Sequence, residues 1–176
     1  MRRLAAITLL TLGTVTVANA QSQLTPQSFV TQVKANGPRV AAWAKVYAQE
    51  SQYRQVAFQA NVRDIDVVAS QSLLRPYLGK ALISYSIQHG PLFGTAEEAQ
   101  TAQRPQVLPE SPFGECEVMF LPREDQWRFE EARCRNSTTK QWMLMDRNGL
   151  LGKPLGDMLA ELDTPVAKQP PAPQRR

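Results

Sequence analysis

The chain is poor in the residues from which most active sites and cofactor sites are built. Among its 176 residues there are one histidine, His89, and two cysteines, Cys116 and Cys134. One imidazole and two thiols fall short of a tetrahedral zinc set. The nine glycines form neither a G-x-G-x-x-G turn nor a Walker loop, and no serine stands in a G-x-S-x-G elbow. Asp146-x-Asn148-Gly149 has the start of a calcium loop, but its glycine comes two places early and Asp157 replaces the closing glutamate. A plain turn is expected there, and no metal or cofactor is expected anywhere.

Net charge is also missing where it would matter. The formal +4 sits at the two ends of the chain, and residues 21 to 162 carry 15 basic and 15 acidic side chains. Phosphate contacts need a basic patch or stripe, and without one a nucleic-acid partner is not expected. Long apolar runs are absent after the first twenty residues, which excludes a stable membrane insertion in the remainder.

Those first twenty residues have a purpose of their own. Arg2 and Arg3 precede a mostly apolar stretch from Leu4 to Val17, and Ala18-Asn19-Ala20 supplies a small-residue cleavage site. This is the layout of a secretory signal peptide, too short for the roughly 20 residues of a spanning helix. The expected mature protein starts at Gln21 and is periplasmic or secreted. In such a compartment two cysteines pair more readily than they bind metal or react.

The cysteines flank a hairpin pattern. Residues 115–121 and 127–134 are strand-like, and the polar segment Pro122-Arg123-Glu124-Asp125-Gln126 connects them. A hairpin centred on Asp125 sets Leu121 opposite Phe129, Phe120 opposite Glu130 and Cys116 opposite Cys134, within disulfide reach.

Elsewhere the pattern changes from helix to strand along the chain. Thr25-Pro26 opens a helix that should stop near Asn36-Gly37, and Pro38 begins a second one. Residues 38–61 place Trp43, Val46, Tyr53, Ala57 and Ala60 on one three- and four-residue stripe. Residues 65 to 78 read both ways. Ala81 to Gln88 alternates as a strand ending at His89-Gly90-Pro91, and residues 94–114 form a long proline-containing loop with a short helix at 95–103. Residues 140–145 make another strand, and 154–162 a closing amphipathic helix. One α+β domain over residues 21–162 follows, with N-terminal helices on an antiparallel sheet of about four strands. A Pro- and Gln-rich tail from Asp163 to Arg176 lacks the apolar residues to join a core. A long helix followed by a curved antiparallel sheet resembles the plan of cystatin-like and nuclear-transport-factor-like rolls, a likeness of element order alone.

For function, two classes remain. The first is an exported binding or accessory protein without catalytic activity, contacting another protein, the cell wall or a small ligand. Its candidate contacts are the loop aromatics Phe93 and Phe113, with His89. A variant of this class is an inhibitor of a secreted enzyme that inserts the stapled 122–126 loop into a cleft. The second class is a small secreted hydrolase, using Asp64 and Asp66 or His89 with a carboxylate partner. Glu97-Glu98, Glu115-x-Glu117 and Glu130-Glu131 are further paired acids, and Asn136-Ser137-Thr138 fits a glycosylation sequon.

Overall fold

The computed structural model describes residues 24–73, 75–108, 113–124, 126–136 and 138–166. The expected signal peptide and residues 167–176 of the expected tail lie outside the described residues. Helix α1 (Pro26–Ala41) comes first, followed by β1 (Ala44–Gln49), β2 (Gln52–Ala69) and β3 (Tyr77–His89). Helix α2 (Ala96–Thr101) precedes β4 (Phe113–Arg123), β5 (Gln126–Asn136) and β6 (Trp142–Asp146). Helices α3 (Arg147–Leu150) and α4 (Pro154–Ala160) lead into a 3-10 turn, Glu161–Asp163. The strands form one six-stranded antiparallel meander in chain order. The α+β class therefore holds, with six strands rather than four.

Two corrections concern the first third of the chain. Helix α1 does not stop at Asn36-Gly37. A reciprocal cap between Thr25 and Ser28 starts it, and it runs through Gly37 and Pro38 to Ala41. Proline removes one N–H from the helical ladder, but Lys34 and Pro38 lie on the solvent side, where water can take the freed carbonyl. The buried stripe Phe29, Gln32, Val33, Asn36 and Val40 continues past the proline. The second correction is larger: the expected helix over 38–61 is the end of α1 followed by the β1–β2 hairpin. Val56, Phe58, Ala60 and Val62 share the inner face of β2 at the strand period, and pairing on both sides overrides the helix propensity of the alanines and glutamines. The ambiguous segment after Asp64 resolves as strand to Ala69, and β3 resumes at Tyr77. Asp146-Asn148-Gly149 is the cap and body of α3, with the Asp146 carboxylate accepting from the Gly149 N–H at 2.7 Å.

Cys116 faces Cys134 as expected, and the disulfide forms. Nearer the turn the register differs from expectation. Phe120 faces Phe129 and Leu121 faces Arg128, because a bulge between Met119 and Phe120 leaves Glu130 as an extra residue on β5. The bulge puts Phe120 and Phe129 on the covered face together, and both are fully buried.

The inner face of the sheet carries the core, with α1 and the C-terminal helices lying across it. Phe29 sits between Phe120 and Trp127, ring centroids 5.2 and 5.1 Å away. Its ring lies over Gly79, where a side chain would approach to 2.6 Å, so α1 rests directly on the β3 backbone. The outer face is covered at the β1–β2 end by α2, where Gln55 donates to the carbonyls of Gln100 and Ala102.

Among the described residues, one half of β5 has no neighbouring strand on its outer side, since β6 pairs only with Glu131 to Arg135. Side chains take the place of that strand. The Gln32 amide accepts from the Trp127 N–H at 3.1 Å and donates to the Trp127 carbonyl at 2.6 Å and the Leu162 carbonyl at 2.9 Å. Two residues along, Asp163 accepts from the Phe129 N–H at 2.8 Å. Arg147 donates to the Phe129 carbonyl at 2.9 Å and pairs with Asp163. Asp163, counted with the tail on composition, is therefore a core residue with 7% exposure. Asn36 adds bonds to the carbonyls of Leu162 and Thr164.

Replacing Gln32 by alanine strands the Trp127 N–H and carbonyl in the core, while the Leu162 carbonyl keeps Asn36 as a donor. A loss of about 2–4 kcal/mol is expected in urea unfolding, and a cost below about 0.5 kcal/mol would show that the amide does not seal the strand. Replacing both cysteines by alanine should cost about 3 kcal/mol in the same assay. The folded far-UV spectrum should survive, because the core around Phe29 does not depend on the sulfurs.

Candidate functional site

The residues singled out for chemistry are dispersed. Asp64 faces Leu82 and Asp66 faces Lys80, whereas His89 ends β3 opposite Val56. Seven residues of extended strand separate Leu82 from His89, about 23 Å at roughly 3.3 Å per residue, so the histidine and these two acids do not meet. Partial burial and the charge of Arg54 lower the His89 pKa, which favours the neutral ring.

Each acidic pair has structural partners. The Asp64 carboxylate accepts from the next N–H, of Ile65, at 2.9 Å, and Asp66 does the same for Val67 at 2.8 Å. Glu98 closes a reciprocal cap with Thr95 on α2. Glu115 pairs with Arg135 at 2.7 Å, Glu117 with Lys80 at 3.3 Å, and Glu130 with Arg123. Among the described residues no group of three or more histidine, cysteine, aspartate or glutamate side chains could hold a metal ion.

A partly buried ionisable cluster joins α4 to β1. Asp157 on α4 accepts from Lys45 and from the Tyr47 hydroxyl, both at 2.7 Å, and from the Gly152 N–H at 2.8 Å. Burial alone would raise the Asp157 pKa, but these hydrogen bonds and the Lys45 charge together hold it below the ordinary value. Burial and the bond to Asp157 push the Tyr47 hydroxyl well above its ordinary pKa, so it remains a donor. Asp163 lies the other way: burial raises it, against the opposing Phe129 N–H and Arg147. Both clusters tie the C-terminal helices to the sheet.

The loop aromatics have different surroundings. Phe93 is half-buried and forms a two-way backbone bridge with Tyr53, at 2.9 and 2.8 Å, which anchors the loop after β3 onto the first hairpin. Phe113 begins β4 and remains 51% exposed. It borders a hollow of about 550 Å³ shared with Ala41, Asn61, Arg63 and Ser84.

Next to that hollow lies a cleft of about 700 Å³ between α1 and β2. Val30, Val33, Gly37, Pro38 and Ala41 form its helix wall. Ala60, Val62 and Ile65 form its strand wall, with Lys34, Asn61, Arg63 and Asp64 at the rim. Its existence follows from the topology. β1 pairs with β2 only as far as Ala57, with one more bond from the Phe58 N–H to the Trp43 carbonyl. Among the described residues, β2 from Gln59 to Ala69 has a strand neighbour on its β3 side alone, and α1 passes beside this one-sided edge. The bulge between Val62 and Asp64 opens the strand at the middle of the cleft. The aspartate caps then occupy the N–H groups of Ile65 and Val67 below it.

The cleft is not legible in the sequence because the strand wall and the end of the helix wall fall in the expected second helix, although Val30 and Val33 lie in the expected first one. The available signal was the period-two run Val56, Phe58, Ala60, Val62, which the helical stripe obscured. The chain matches no family model, and neither a curated protein nor a solved structure is similar to it.

The aspartate caps carry negative charge onto an open strand edge, one way that proteins discourage edge-to-edge aggregation. Changing both Asp64 and Asp66 to alanine should cost less than about 1 kcal/mol of stability while accelerating aggregation on mild heating, read by light scattering. Unchanged aggregation in the double variant would remove the protective role.

Proposed function

We propose that the protein is an exported binding or accessory protein of the cell envelope, and that it takes an extended peptide segment of another protein along the α1–β2 cleft. The cleft beside the one-sided edge of β2 carries this reading. Adding a strand to an exposed edge gives main-chain affinity, while pockets for alternate side chains give specificity. Ala60, Val62 and Ile65 line such a track on the strand side and Val30, Gly37 and Pro38 face it from the helix. An apolar lining with a few polar rim groups is the usual composition of a binding cleft. The Asp64 and Asp66 caps end the available edge, so the bound segment would be short, centred on Ala60 and Val62.

Export is supported by the Cys116–Cys134 disulfide and the expected signal peptide. Phe113 and Arg63, at the neighbouring hollow, would extend the contact to residues flanking the peptide. An envelope-facing binding module also accounts for a neutral, stapled domain in which at least one carboxylate of every acidic pair has a structural partner.

A photo-crosslinking amino acid at Ala41, exposed at the cleft mouth, should yield one discrete adduct in envelope extract. Ala41→Trp in the unlabelled protein should weaken capture of the same partner at least tenfold with no change in thermal unfolding. Adducts no more discrete than those from a probe at Gln52, at the far end of β2, would refute the cleft.

A further inference from the structure

The second open edge of the sheet, β6, has a different character. Trp142, Met143 and Leu144 are 38, 57 and 65% exposed, three consecutive large apolar residues at the rim of the sheet. The direction of the β6 backbone follows from the disulfide pair. Cys116 and Cys134 lie 4.1 Å apart at Cα, the short spacing of a non-hydrogen-bonded antiparallel pair. The Cys134 amide and carbonyl therefore point away from β4, towards Met143 on β6. Met143 turns its own backbone groups inward to β5, and those of Trp142 and Leu144 face outward along the free edge.

From this edge we infer that the protein forms a two-fold symmetric dimer by antiparallel pairing of β6 with the β6 of a second copy, centred on Met143. Two features select a second copy. The strand is apolar on both faces, since Trp142 and Leu144 are on the outer side and Met143 on the inner, and symmetric interfaces match one surface to itself. Its ends carry opposite charges, Lys140 just before it and Asp146 as its last residue. Laid antiparallel on itself about Met143, the strand sets Trp142 against Leu144 of the second copy and brings Lys140 beside the second copy's Asp146, twice. A parallel arrangement would put like charges together. On the outer face Arg133 and Arg135 lie over the Trp142 ring, at 5.3 and 5.0 Å from its centroid, and hold it in place for the pairing. The contact lies on β6, separate from the α1–β2 cleft, so it stands whether or not the peptide reading does.

Sedimentation velocity of the purified protein between 1 and roughly 200 μM tests the association, with a monomer–dimer equilibrium in the micromolar range expected for a short strand pair. Leu144→Asp, at an exposed position, should shift the midpoint at least tenfold towards monomer while leaving thermal unfolding unchanged. The register is read by oxidative cross-linking. Met143→Cys should give a covalent dimer, because the symmetric pair repeats the geometry of Cys116 and Cys134, whereas Leu144→Cys should not. A monomer throughout the range, or cross-linking at 144 in preference to 143, would overturn the proposal. The former would make β6 the site of a foreign strand.

Discussion

Half of strand β5 is completed by side chains, and the arrangement of the whole molecule depends on how they do it. Without partners the outer edge of Trp127 and Phe129 would bury unpaired amides, each costing about 1–3 kcal/mol. A further strand could satisfy them. Gln32 instead supplies a donor and an acceptor on one amide, the same pairing a strand would offer, and Asp163 and Arg147 repeat it two residues along. The three side chains come from α1, the 3-10 turn and α3. Sealing one strand therefore fixes three separate elements in register with it.

That seal is linked to the closure at the other end of the sheet. Leu162 and Asp163 can reach the seal only if α4 is correctly placed, and α4 is held to β1 by Asp157 with Lys45 and Tyr47. The sheet thus curves until both its first and fifth strands contact the same C-terminal segment. The bulge at Glu130 has a matching role. By adding a residue to β5 it keeps Phe129 on the covered face and presents its backbone outward, where Asp163 and Arg147 meet it. Without the bulge Phe129 would share the phase of Glu131 and Arg133, with its ring on the outer face and its backbone turned towards β4.

Much of this was legible in the sequence, and the misses share a cause. The β4–β5 pairing at the cysteines, strand β3, the first turns of α1 and the closing helix are local patterns with strong periodicity, and each is found where expected. The turns were hidden. Glu50, Glu124 and Lys140 adopt left-handed backbone, φ 56°, 53° and 58°, in positions where glycine or asparagine would have announced a hairpin. With Glu50 read as an interruption in a helix, the β1–β2 hairpin disappeared into an alanine-rich stripe, and the α1–β2 cleft went with it. Gln32, Asn36 and Asp163 were invisible for another reason. A buried polar residue is recognised by its long-range partners, and these are distant in sequence: Trp127 and Leu162 for Gln32, Leu162 and Thr164 for Asn36, and Phe129 for Asp163. The acids suspected of catalysis illustrate the converse: Asp64 and Asp66 do interrupt an apolar strand, and the interruption caps the strand edge.

The same edges organise the functional reading. Backbone is exposed both on β2, past the end of the short β1, and on the end strand β6, and the two stretches differ. On β2 the exposed backbone is partly blocked by two carboxylates and bordered by a helix, which restricts what can add there to a short segment entering a shaped cleft. On β6 no further strand pairs with the outer backbone among the described residues, and apolar side chains flank it, with charge only at the termini of the strand. Edge protection is costly to omit, because exposed apolar strands aggregate, so an edge left open in a domain that caps its other one has a reason to be open. The disulfide bears on this directly. It joins β4 to β5 at the residue that pairs with Met143, so the covalent staple supports the strand on which β6 is laid. In an oxidising compartment, the rigidity it gives to β5 is transmitted to the edge that another chain would meet.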